Sequence, residues 1–367
     1  MTEPTVDYDP TVSDWGSKFD VAEGPNHQID ETVGGFASVR VPAWHKLGVV
    51  VENQVNAPTL LRLAGANYQI FRGPITTEIE VPITPGSPLT VKKQATDPRR
   101  VNICRQHPLS GELEILGQAS PGYPLWTPYD VLVGFGDGIL TYGEPTVSTC
   151  GVLDGGRRVF MAFKLPKDIK VGGIADETTQ LWLVVTTSFD QSEPTAATIT
   201  PIRAVCANTV RAGVAKAKSR FTIKKTRNAD LQAAQARTAL KLVDPFIENY
   251  DLMANTLLDI KVTNARFLQI IEANFGPGEE PSKTQLARWE PKKDKLMELF
   301  TVADTQANVR GTAWAALNAV GEYADWFTKV KKTDADADAA RFRRSVEGNP
   351  AIAEPKDAML RSLMALA

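Results

Sequence analysis

The sequence predicts an α+β protein: an antiparallel sheet with a β-hairpin and a basic helix, followed by an all-helical C-terminal region. Three observations carry this. Strand-like runs cluster before residue 200 instead of alternating with helices. Tight-turn signals, above all Asp154-Gly155-Gly156, join those runs at hairpin distance. From Ala229 onward, apolar residues recur at helical spacing. A chain of 367 residues exceeds the size at which one core usually keeps growing. We therefore expect an acidic N-terminal arm over 1–35, an α+β core over 36–228 and a helical domain over 229–367.

Met1 to Glu31 holds eight acids against Lys18 and few large apolar residues, which reads as an arm or surface extension. Phe36 to about Gln118 is β-rich, with short runs such as Gly48–Val51 and Ile75–Val81 broken by Pro74, Pro82, Pro85 and Pro88. Val101–Arg105 and Glu112–Gly117 flank a Pro-Leu-Ser-Gly turn at 108–111, a hairpin with a four-residue loop. Thr127–Ile139 reads as a helix with Pro128 at its first position. Gly134, Gly136 and Gly138 then mark its stop rather than a phosphate loop, because they follow no strand.

Thr146–Leu153, Arg157–Leu165, Leu181–Phe189 and Thr195–Thr200 follow as strands. Pro201 is expected to open a helix running to about Lys218, with Ile202, Val205, Cys206, Thr209, Val210 and Val214 on its less polar face. The stretch 229–262 reads as long and amphipathic, with Pro245 as a break. Thr263 suits an N-cap for a helix closed by Gly276. Val309 to Phe327 is the clearest helix, with Trp314, Leu317, Val320, Ala324 and Phe327 on one face. Asp334–Ala339 is a polar joint before a terminal helix.

The charge is distributed unevenly: −6 over residues 1–90, +6 over 91–229 and −2 over 230–367. Between Pro194 and Ala229 stand eight basic residues and no acid: Arg203, Arg211, Lys216, Lys218, Arg220, Lys224, Lys225 and Arg227. Interspersed carboxylates normally relieve such self-repulsion. A one-signed block can instead replace the counterions condensed on a phosphate backbone. Arg99, Arg100 and Arg105 lie on or beside the first hairpin strand, just after Lys92 and Lys93, and Arg157 and Arg158 follow the second tight turn. Phe221 lies inside the basic run. Phe163, Trp182 and Phe189 on the preceding strands either fill the core or offer stacking surfaces for bases.

No catalytic or metal signature emerges. Cys104, Cys150 and Cys206 are 46 and 56 residues apart, neither a disulfide framework nor a zinc site. His45 in Trp44-His45-Lys46-Leu47-Gly48 could complete a Cys–His–Asn set with Cys206 and Asn208, but nothing in the spacing supports it. Glu112 and Glu114 read as exposed strand acids before a magnesium pair. The Walker pattern Gly-x-x-x-x-Gly-Lys-Ser/Thr does not occur, which argues against an ATP-driven motor. No apolar run approaches a membrane span, and the polar, acidic N-terminus does not resemble an export signal. We expect a cytoplasmic protein with no cofactor and no membrane partner.

Four ordered motifs carry a resemblance: Trp44–Gly48, Gly155-Gly156-Arg157-Arg158-Val159-Phe160, Thr200–Thr209 (Thr-Pro-Ile-Arg-Ala-Val-Cys-Ala-Asn-Thr) and Asn318–Asp325 (Asn-Ala-Val-Gly-Glu-Tyr-Ala-Asp). With them the chain resembles the phage/plasmid-like protein family, a domain of unknown function common in mobile elements of actinobacteria. At the level of element order, the hairpin, helix, antiparallel sheet and basic helix are similar to the core of single-strand annealing proteins such as RecT, Red-beta and the Rad-type annealers. That likeness implies ATP-independent binding and annealing of single-stranded DNA in phage recombination. It also implies a homo-oligomeric ring, and partners such as a single-strand-binding protein or a phage exonuclease. Arg203, Arg211, Lys216, Lys218, Arg220, Lys224 and Lys225 would line the groove, with Arg99, Arg100, Arg105, Arg157 and Arg158 clamping from the opposite wall. The rival expectation is a structural or interaction protein of a phage or plasmid, whose basic helix meets an acidic protein surface. A third, a hydrolase built on Cys206 and His45, lacks a substrate.

Overall fold

The computed structural model describes residues 36–39, 49–51, 54–108, 110–142, 145–174, 177–203, 220–224, 228–329 and 350–367. The architecture is α+β, with two largely antiparallel sheets and a helical C-terminal region. The acidic N-terminal arm, the Trp44–Gly48 motif, all of the expected Pro201–Lys218 helix beyond Arg203 and the Asp-Ala stretch at 334–339 lie outside the described residues.

The larger sheet has eight strands. In chain order they are β1 (Phe36–Val39), β2 (Val49–Val51), β6 (Thr146–Leu153), β7 (Arg158–Lys164), β8 (Ile169–Lys170), β9 (Thr178–Ser188), β10 (Ala196–Arg203) and β11 (Arg220–Thr222). They lie side by side as β11-β10-β9-β7-β6-β1-β2, with β8 also on β9. The β1–β2 pair is parallel and the other pairs are antiparallel. The turn between β6 and β7 forms as the sequence predicts. Asp154, Gly155 and Gly156 all adopt positive φ, the conformation that matches the strands' right-handed twist. Val159 to Phe163 in β7 are all buried, so this strand is covered on both faces.

The second sheet is the order β3 (Ile70–Pro82), β4 (Thr90–Gln106), β5 (Leu113–Ala119). The expected hairpin is the β4–β5 pair: its strand pairing ends at Gln106 and Leu113, and the His107 N–H donates to the Glu112 carbonyl at 2.7 Å across the Pro-Leu-Ser-Gly turn. The continuous β3–β4 ribbon is longer than the broken runs suggested. Pro74 and Pro82 are accommodated inside β3 because it is an edge strand, where a missing N–H costs no ladder bond.

Between the sheets run α1 (Ala57–Leu63), capped by the Asn56 side chain, then a π-turn at Tyr129–Val133 that continues into α2 (Gly134–Tyr142). The glycines of α2 do not stop it. A Cβ on Gly134 would sit 2.7 Å from the Gln232 side chain, one on Gly136 2.8 Å from the Phe163 ring, and one on Gly138 2.9 Å from the Ala236 Cβ. They are close-approach positions that let α2 press against β7 and against α3 (Ala229–Leu240). The expected helix start at Pro201 is also replaced. Pro201 to Arg203 continue β10 opposite Leu181 to Thr179. Among the described residues, the neighbouring β11 pairs with Ala196 to Thr198.

The C-terminal helices follow the sequence closely. The 229–262 stretch divides into α3 and α4 (Val243–Asp259), with Pro245 in the first turn of α4. Thr263 accepts from the Arg266 N–H to cap α5 (Asn264–Phe275), which ends at Gly276. α6 (Lys283–Thr301) opens on a Ser282/Gln285 capping box. The clearest expected helix begins at Ala313, since Val309 belongs to a 3₁₀ turn. α7 (Ala313–Glu322) then runs into a π-turn at Tyr323–Phe327. α8 (Pro350–Met364) closes the chain. The buried Trp314 donates from Nε1 to Glu177 Oε1 at 2.8 Å, and Tyr250 bonds Thr179 at 3.2 Å. These contacts tie α7 and α4 to the start of β9.

Candidate nucleic-acid interface

The two sheets meet where the β6–β7 turn rests on the base of the β3–β4 ribbon. Arg105, nominated as a DNA contact, is 3% exposed there. Its Nε donates to Glu114 Oε2 at 2.7 Å, and its guanidinium lies 4.9 Å from the Tyr68 ring centroid. Tyr68 Oη donates to the Gly156 carbonyl at 2.7 Å, and burial raises the Tyr68 phenol well above its ordinary value. A Cβ on Gly156 would come within 2.2 Å of the guanidinium. On β5, a Cβ on Gly117 would lie 2.6 Å from Asp190 Cα, and Gln191 donates to the Gln118 carbonyl at 2.7 Å. Glu114, weighed as half of a magnesium pair, is thus committed to Arg105.

Arg158 is similarly engaged. It donates to Ser192 Oγ at 3.2 Å and lies within 4 Å of Asp154 and Glu193. Arg157, next to it, is exposed. Of the three cations near this junction Arg157 is the exposed one; Arg105 packs against Gly156 across the two sheets, and Arg158 is tied to the turn and loop of its own sheet.

Arg99 and Arg100 are placed differently. Pro74 pairs with Val101 and Thr76 with Thr96, so residues 97–100 bulge out of β4 opposite Ile75 alone. Asp97 Oδ1 accepts from the Arg99 N–H at 2.8 Å. That backbone bond, with help from the Arg99 charge, holds the Asp97 carboxyl below its ordinary value. Both arginines are exposed, Arg99 to 88% of its side chain. A bulge re-aims side chains that the pleat would otherwise alternate, and here it turns two successive arginines outward. Lys92 and Lys93 continue the basic line toward the ribbon's tip and are exposed too. They were seen in the sequence as merely preceding the hairpin. The alternation Glu78-Ile79-Glu80-Val81 is the signal that makes them part of a ribbon.

Arg220 and Lys224 are exposed on and beside the edge strand β11. Two strands separate β11 from β7, roughly 14 Å at the usual strand spacing. The Lys224 backbone is held from both sides by Gln235, at 2.5 and 2.9 Å. Arg203 ends β10; Arg211, Lys216, Lys218 and Lys225 lie outside the described residues. Of the candidate stacking rings, Phe163, Trp182 and Phe189 are buried and Phe221 is half-buried against the core; the core role holds for these aromatics.

Among the described residues outside this surface, Cys150 and His107 are internal, and Cys104 is half-buried. Cys150 is buried and its thiol is pushed up by desolvation; His107 is buried, its Nδ1 accepting from the Ser110 N–H. Cys206 and His45 lie outside the described residues. The Asn318–Asp325 motif works as an internal clamp. Asn318 donates to the Trp314 carbonyl, Glu322 accepts from Thr305 and Gln306, and the buried Asp325 and Lys356 pair at 2.6 Å. Among the described residues no group of three His, Cys, Asp or Glu side chains could hold a metal ion. No described helix is long and apolar enough to cross a membrane.

Residues 115–346 match the family model described as Domain of unknown function (DUF932), and the chain belongs to that family. The match starts within β5, so the β3–β4 ribbon precedes it. No curated protein and no solved structure matches the chain.

Proposed function

We propose that this protein is an ATP-independent single-stranded DNA-binding and annealing protein of a phage or plasmid, acting as a homo-oligomer. The observation that carries the reading is the exposed line of Lys92, Lys93, Arg99 and Arg100 along one strand of a ribbon, with Arg157 exposed at its base. Such a line suits backbone tracking, because phosphates spaced along an extended strand meet cations spaced along β4. Arg105, packed between the ribbon base and the β6–β7 turn, positions this line and does not touch the polynucleotide, and Arg158 is engaged by Asp154, Ser192 and Glu193. Binding holds one strand extended, so that a complementary strand can test pairing without first unstacking it. The reaction needs no nucleophile.

The test is fluorescence anisotropy of a labelled oligonucleotide over a salt series. Each phosphate contact contributes about −0.7 to the slope of log K against log salt for single strands. R99E/R100E should weaken binding and flatten the slope by about 1.4. A slope near zero in the unsubstituted protein would refute the reading. The second reading, a structural or interaction protein of a mobile element, is favoured by the apolar side chains the same ribbon exposes, Ile79, Ile83, Leu89 and Val91. It predicts stable assembly with no oligonucleotide binding at any salt.

A further inference from the structure

Among the described residues, the ribbon beyond the bulge has no third strand and no core behind it. β5 pairs with β4 over Val101 to Gln106 alone. Of residues 76–82 and 90–96, every one is exposed except the half-buried Val81. A free two-stranded hairpin is marginal in water, and its open edges are templates for further pairing.

The register divides this outer ribbon into two unlike faces. Thr77 with Ala95, Ile79 with Lys93 and Val81 with Val91 share one face; Thr76 with Thr96, Glu78 with Gln94 and Glu80 with Lys92 share the other. Ile79 is 52% exposed. The charges are also divided by strand. β3 carries Glu78 and Glu80 there and no base, while β4 carries Lys92 and Lys93 and no acid. Within one copy Lys92 reaches Glu78 at 2.9 Å, and both side chains remain more than half exposed.

We propose that this ribbon is a head-to-tail assembly surface whose occupant is a second copy of the chain: the outer β4 of one copy pairs antiparallel with the outer β3 of the next. The inference starts from the oligomer of the reading above and supplies its surface. Charge selects the geometry. β3 against β3 would set Glu78 and Glu80 against acids, and β4 against β4 would oppose lysines, and like charges across a ladder are destabilising. β4 against β3 gives the Glu78 and Glu80 face a Lys92 on both sides and leaves the Ile79, Val81 and Val91 faces contiguous. Charges that merely protect an edge from pairing need no such segregation. Because two different edges meet, the contact is heterologous, so it closes into a ring or runs on as a filament.

The test measures the mass of the full chain by light scattering without nucleic acid, and oligonucleotide binding separately. The unsubstituted protein should assemble. E78K/E80K and K92E/K93E should each fall to the mass of one 40.0 kDa chain. Mixing the two variants should restore assembly, since a β3 of lysines then meets a β4 of glutamates. The fourfold exchange E78K/E80K/K92E/K93E should assemble alone, which also shows that the ribbon still folds. A monomeric unsubstituted protein, or reversals that leave the mass unchanged, would overturn the proposal. Reversals that abolish oligonucleotide binding at constant mass would assign the ribbon to nucleic acid instead. Loss of assembly in E78K/E80K with oligonucleotide binding retained at equal chain concentration would uphold the surface and separate it from the DNA site; K92E/K93E, which also removes two cations proposed to meet phosphate, is read by its mass alone.

Discussion

Replacing Arg105 separates the role its position in the fold gives it from the role its charge suggests. At 3% exposure its guanidinium makes one charged hydrogen bond to Glu114 at 2.7 Å and stacks on Tyr68. A hydrogen bond to a charged group contributes about 1.5–3 kcal/mol, and a desolvated cation–π contact about 1–2 kcal/mol. Glu114 keeps 39% of its side chain in solvent, so in Arg105→Ala the carboxylate regains water and leaves no large residual penalty. Discounting for that exposure, the loss should be about 3 kcal/mol. Glu114→Ala should cost as much or more, because it strands a buried cation away from its carboxylate. Arg105→Lys should lie between, keeping charge but losing the planar stack. The assay is urea unfolding followed by tryptophan fluorescence, with oligonucleotide affinity measured on the folded variants. If Arg105→Ala leaves the unfolding midpoint unchanged while DNA affinity drops, Arg105 faces the ligand and the junction described above is wrong.

Three more outcomes follow from the same geometry. Gly138→Leu must push α3 away from α2, since even a Cβ lies 2.9 Å from Ala236; overpacking of this kind costs about 1–3 kcal/mol and should lower the thermal midpoint. Thr263→Ala removes the oxygen that accepts from the Arg266 N–H at 3.1 Å. It should cost about 1 kcal/mol, whereas Thr263→Ser should restore the cap. The Asp97 carboxyl should titrate below its ordinary 3.8 by carbon-detected NMR. Its folded value is depressed, so its contribution to holding the bulge is complete above 3.8 and fades as pH falls through the folded value. Arg99→Gln should leave part of that depression, because the backbone N–H remains.

Legibility was greatest where a signal is local. Thr263 and Gly276 mark α5 because a cap and a stop are chosen within a few residues of each other. Asp154-Gly155-Gly156 announces its turn because positive φ is a property of the residue itself. The α2 glycines show the opposite case. Read along the chain they are a stop; they are in fact the gap into which Phe163 and α3 fit, and a partner about a hundred residues away leaves no local mark. Pro201 similarly reads as a helix start until its pairing with Leu181, twenty residues earlier, carries β10 through it.

The same distinction runs through the candidate site. Composition alone places the basic residues in the middle of the chain and shows acids and bases separated along it. It cannot show that Arg105 is spent inside on Glu114 and Tyr68 while Arg99 and Arg100, a few residues earlier, are thrown outward by a bulge. The number and kind of charges are fixed by the chain's covalent order. Whether a cation meets solvent, a carboxylate or a ring depends on register and on the close approach of distant strands, and those are settled by packing across the two sheets.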